Sequence, residues 1–111
     1  MRTDVVTTSP EVAVDEISTP DPGVTVYELA LGAAPFKAAR FTVDPGASSA
    51  VDAHAVHETW FVVSGEGELV YDGRAYPLKT HDFFRFQPPL PHQVHNRGAE
   101  PIVIFSTWWQ P

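Results

Sequence analysis

A chain of 111 residues and 12.2 kDa suits one domain around one core. Its 43% hydrophobic and 12% aromatic content excludes disorder, and 11 prolines with 7 glycines interrupt it too often for long helices, so the expected class is all-β. The formal net charge of −7, with 7 Lys and Arg scattered from Arg2 to Arg97, argues against nucleic acid, and the lack of cysteine leaves only nitrogen and oxygen donors for any metal.

Residues 1–23 are rich in Ser, Thr, Pro and acid and are interrupted by Pro10, Pro20 and Pro22, which predicts an arm, partly mobile or exchanged in a dimer. Within it EVAVDEI, from Glu11 to Ile17, alternates well enough for a short strand on its own domain or on a neighbouring subunit. Residues 24–111 form the expected domain. VTVYELAL and FKAARFTV read as strands, and Asp44-Pro45-Gly46 as a turn, because proline presets φ at one central position and glycine accepts positive φ at the next. TWFVV, ELVY and RAYPL follow, the last two flanking Asp72-Gly73, a dipeptide suited to a type I′ hairpin. DFFRFQ is a further strand, PPLP an extended corner, HQVHN an alternating strand and PIVIFSTWW the last. Many short strands at close spacing predict a closed barrel or a two-sheet sandwich. No run reaches the ~18 apolar residues of a membrane span, and MRTDVVTTSPEVAVDE lacks the apolar core of a secretory signal, so the expected setting is cytoplasmic, away from membranes.

Chemistry concentrates in DAHAVHETWFVVSGEG, Asp52 to Gly67, and in HDFFRFQPPLPHQVHN, His81 to Asn96. Residues two apart on a strand share a face, so Asp52 and His54 project together, and Glu58 joins them if the chain turns between Ala55 and His57. An antiparallel partner strand can bring His92 beside them. Two imidazoles and one carboxylate suit a divalent first-row metal with open positions, and Asp52 is a fourth ligand or a hydrogen-bond partner. In phase with Glu58, Trp60 should line the cavity. Phe83, Arg85 and Gln87 share one face of the next strand, and inward-facing Arg85 would bind a substrate carboxylate; Arg40 carries the same ambiguity between pocket and solvent. His57 points away from Glu58 on a regular strand, His95 is out of phase with His92, and His81 stands at a turn.

The spacing resembles the cupin superfamily. Its first motif is matched by Gly46, five residues, Asp52-Ala53-His54, three residues, Glu58, six residues and Gly65; the second keeps its register from His81 to His92 and Asn96. The resemblance covers roughly residues 24–109 and implies an all-β cupin β-barrel, a double-stranded β-helix or jelly roll, in a single domain of the monocupin type. It also implies that His54, Glu58 and His92 bind metal, with Asp52 standing where the family has its first histidine. An aspartate supplies a hard oxygen and shifts preference toward iron(II) or manganese, with nickel and zinc as further options. His57 and Asn96 are candidates for hydrogen bonds supporting the ligands, and Trp60, Arg85, Arg40 and Phe83 for the substrate pocket. Cupins are commonly dimers that exchange arm strands, so a homodimer is expected, with one of Trp108 and Trp109 at a partner surface. The implied function is a metal-dependent enzyme of oxygenase, isomerase or cyclase type acting on a small organic metabolite. The alternative is a non-catalytic module that binds a metabolite or assists a partner enzyme.

Overall fold

The computed structural model describes residues 10–110. These form nine strands and no helix: β1 Val14–Asp21, β2 Val24–Leu29, β3 Lys37–Val43, β4 His57–Ser64, β5 Gly67–Tyr71, β6 Arg74–Leu78, β7 Phe83–Phe86, β8 His92–His95 and β9 Ile102–Trp109. Six strands make one antiparallel sheet in the order β1-β2-β3-β9-β4-β7, and three make a second in the order β6-β5-β8. The chain is an all-β jelly roll whose two sheets pack face to face, and among the described residues they are not closed into one continuous barrel.

Two turns follow directly from local chemistry. Asp72 and Gly73 both take positive φ, 48° and 78°, as a type I′ hairpin requires, and they join β5 to β6 in unbroken register. Gly46, at φ 82°, completes the Asp44-Pro45-Gly46 turn, which is closed by the Ala47 N–H donating to the Asp44 carbonyl at 3.0 Å.

Alternation then builds the core. From β4, Trp60 and Val62 point inward; from β9, Ile102 and Ile104; from β3, Phe41 and Val43; and Leu69, Leu78 and Val94 of the smaller sheet meet them. Pro77 sits in β6, an edge strand, where its missing donor breaks no interior ladder. Gly65, at φ 96°, lies where a Cβ would stand 2.5 Å from the Pro101 carbonyl oxygen, so β4 can leave the sheet past β9 only through a glycine.

Three local expectations are corrected. The first strand runs from Val14 to Asp21 rather than from Glu11 to Ile17, and it pairs with β2 of its own chain, Ile17 opposite Tyr27. Of the predicted arm, residues 1–9 lie outside those described. Asp52 to His54 is not a regular strand: the segment contacts β8 through isolated bridges at Ser48–His95 and Asp52–His92. PPLP is not extended throughout, since Pro88 and Pro89 form a turn closed by the Leu90 N–H donating to the Gln87 carbonyl at 2.9 Å.

Candidate metal site

Asp52 and His92 exchange both backbone hydrogen bonds at 2.9 Å, the narrow pairing that puts opposed side chains on one face. The chain bends at Ala55 and Val56, which returns His54 toward Glu58 at the start of β4. One donor atom from each of Asp52, His54, Glu58 and His92 then lies within 4.8 Å of every other. His54 Nε2 is 2.9 Å from Glu58 Oε1 and 3.7 Å from Asp52 Oδ2, and His92 Nε2 is 3.0 Å from the same Glu58 oxygen. Donors bound side by side to one ion at about 2.0–2.2 Å sit roughly 3.0–3.5 Å apart, so this spacing fits a first-row metal.

The donor chemistry fits as well. His54 Nδ1 lies 3.1 Å from the Val56 carbonyl and donates there in the tautomer that leaves the Nε2 lone pair facing Glu58 Oε1. His92 is 2% exposed, and both its ring nitrogens lack a hydrogen bond of acceptable alignment, despite the 3.0 Å approach of Nε2 to Glu58. An unmade buried polar contact costs about 1–3 kcal/mol. Two imidazole nitrogens facing one carboxylate oxygen call for a proton or a cation between them, and a divalent ion satisfies all three at once.

Aromatic packing holds the rings in place. Phe86 stacks on His92 with centroids 4.2 Å apart and planes 3° from parallel, and Trp60 meets His92 edge-on at 5.3 Å. Glu58 is fixed at its other oxygen, where Oε2 accepts from Trp60 Nε1 at 2.9 Å and from Ser106 Oγ at 2.5 Å. Burial alone would push the Glu58 carboxyl up. The contacts from His92, Ser106 and Trp60, with the attraction of a charged His92, outweigh that and hold it at about 2, below the ordinary 4.5. Glu58 is therefore anionic, with Oε1 directed at the imidazoles.

The site lies on the wall of a cavity of about 590 Å³ between the sheets. Trp60 lines it as expected, together with Val24, Val26, Phe41 and Trp108.

The other predicted site residues fall elsewhere. Arg40 and Phe83 belong to one row that crosses the outer face of the larger sheet, Ile17, Tyr27, Arg40, Phe105, Phe61 and Phe83, with Arg40 over the Tyr27 ring at 4.6 Å and Phe83 67% exposed. Arg85 pairs with Thr59, which also faces outward, and donates to His57 Nδ1 at 3.1 Å. His57 itself stacks on Trp109 outside the sheet, so neither it nor Arg85 reaches the four donors. Asn96 is buried but serves the backbone, donating to the Val43 and Glu100 carbonyls and accepting from the Gly98 N–H. Period-two patterning groups residues by face without saying which face is inside.

Ser106 escaped the sequence reading. Its signal was present: on β9 the inward series is Ile102, Ile104, Ser106, Trp108, and a lone hydroxyl at a core position needs a partner, here Glu58.

Comparison with known proteins agrees with this fold. The chain is similar in structure to the plu4264 protein of Photorhabdus luminescens, with a TM-score of 0.80 at 18% identity over 95% of this chain and 89% of that one. It is likewise similar to a Cupin 2 conserved barrel domain protein from Salinispora arenicola, with a TM-score of 0.75 at 26% identity over 99% and 90% of the two chains. A predicted oxalate decarboxylase from Thermotoga maritima superposes with a TM-score of 0.77 at 21% identity over 96% and 100%. The family model described as Cupin domain matches residues 39–108, more than half of the sequence, and the chain belongs to the cupin family.

Proposed function

We propose that this cupin is a metal-dependent enzyme of small-molecule metabolism, with Asp52, His54, Glu58 and His92 holding a divalent ion beside a small organic substrate. The observation that carries this reading is the convergence of two imidazole nitrogens, one of them buried without a hydrogen bond, on a single anionic oxygen. When bound, a first-row ion supplies Lewis-acid polarisation of a substrate oxygen or a site for dioxygen chemistry. The chain's own residues do the positioning. Trp60 and Ser106 keep Glu58 from rotating, Phe86 keeps the His92 ring in register, and Val24, Val26 and Phe41 give the cavity an apolar wall. Oxygenase, isomerase and cyclase reactions all fall within this reading, since the fold hosts many chemistries. The carboxylate at position 52 favours iron(II) or manganese over softer ions.

The test is elemental analysis of protein purified without chelator or affinity metal, beside His92→Ala. Near-stoichiometric metal in the wild type and little in the variant is the expected result. A wild type that holds no metal and takes up no added iron, manganese, nickel or zinc would refute it.

One feature favours a second reading, a non-catalytic binding module. Apart from the four donors, the only residue with a carboxylate or imidazole on the described cavity wall is Asp21, whose Oδ2 already accepts the Ala50 N–H at 3.1 Å. Acid-base help from the protein is scarce. Ligand binding to the loaded protein without turnover or oxygen consumption would favour the module.

A further inference from the structure

The charge of the cavity wall bears on what enters it. Among the described residues lining the cavity, the ionisable ones are Asp21, Asp52, His54, Glu58 and His92, and none is Lys or Arg. Arg40, between lining residues Ala39 and Phe41, and Arg85, paired with Thr59 between lining residues Glu58 and Trp60, both face outward. With two carboxylates and two neutral imidazoles as donors, a divalent ion leaves the loaded centre with no net charge. Asp21 then makes the remaining wall negative.

A dianion entering this space would give up its hydration without meeting a counter-charge, an unfavourable exchange in a partly closed site. An uncharged molecule loses nothing of the kind. It gains contact with Val24, Val26, Phe41, Trp60 and Trp108, whose surfaces are apolar and include three aromatic rings. The cavity, at about 590 Å³, also exceeds what a bare dicarboxylate needs to fill it.

We propose that the cavity takes a neutral or weakly acidic organic molecule, with oxygen donors at one end for the ion and an apolar, ring-sized body at the other, and that it discriminates against small dianions such as oxalate or a phosphate monoester. This substrate class rests on the metal-binding reading above, and deepens it. It separates this chain from the activity named for its Thermotoga maritima relative, a predicted oxalate decarboxylase.

The experiment loads the full chain with nickel(II), measures metal content first, and then titrates benzoylacetone, acetylacetone and oxalate by calorimetry. Each affinity is divided by the same compound's affinity for free nickel(II) in the same buffer, which removes the intrinsic strength of the chelate. The expected order of these ratios is benzoylacetone, acetylacetone, oxalate, with at least ~10-fold between first and last. Val51→Lys adds a cation at an exposed position of the cavity mouth, 63% accessible, and should raise the ratio of oxalate, a dianion, several-fold and by more than that of acetylacetone, which chelates as a monoanion. A loaded protein whose oxalate ratio equals or exceeds that of benzoylacetone overturns the substrate class and leaves metal binding standing. A chain that takes up no metal overturns both, and does so before any ligand is added.

Discussion

Acidifying the metal-free protein should remove the stability that Glu58 contributes through its depressed pKa. The carboxyl ordinarily titrates near 4.5 and is held at about 2 in the fold, and a gap of that size corresponds to about 3 kcal/mol at 1.36 kcal/mol per pH unit. Because the folded value lies below the unfolded one, the contribution is complete well above pH 4.5 and is lost as pH falls. Roughly 2 kcal/mol should be gone by pH 3, with the remainder disappearing as pH approaches and passes below 2. The assay is urea unfolding in the presence of chelator, followed by tryptophan fluorescence from pH 6 to pH 3, for the wild type and for Glu58→Gln. Other carboxylates titrate in both proteins and cancel in the difference. The wild type should therefore lose about 2 kcal/mol more than the variant over this range. Parallel curves would refute the reasoning, because they would mean that Trp60, Ser106 and His92 do not hold the anionic form.

Ser106→Ala removes one of the two donors at Glu58 Oε2 and should weaken metal binding about 10- to 100-fold with the fold intact, as read by competition with a chromogenic chelator and by circular dichroism. Asp52→His restores the usual cupin ligand set and should tighten nickel and zinc relative to manganese; unchanged affinities across these ions would put position 52 outside the coordination sphere. Gly65→Ala should cost more than ~2 kcal/mol in urea unfolding, since the new Cβ meets backbone at 2.5 and 2.8 Å at a φ of 96°, whereas Gly46→Ala, with nothing within 4 Å, should cost only about 1–2 kcal/mol for its left-handed backbone. Arg85→Ala and Phe83→Ala, both on the outer face, should leave metal content and ligand affinity unchanged, and an effect on either would bring that face into the site.

Much of this protein is legible without coordinates, for physical reasons that can be named. Positive φ at Asp72 and Gly73, and proline followed by glycine at positions 45 and 46, are local constraints, so turn chemistry predicts those reversals one residue at a time. The candidate donor set is legible because metal binding would demand particular donors, and Asp52, His54, Glu58 and His92 stand at the spacing of the cupin motifs. Three things required the tertiary structure. Strand parity grouped Phe83 with Arg85 but did not say which side of the sheet would be covered, and only the packing of β6-β5-β8 against the other sheet put that pair outside. The carboxylate of Glu58 is held by Ser106, 48 residues away, a contact that no local pattern encodes. His92 acquires its buried, unbonded nitrogens only when Phe86 and Trp60 close over it, because the lack of a partner is a property of everything packed around a residue rather than of the residue itself.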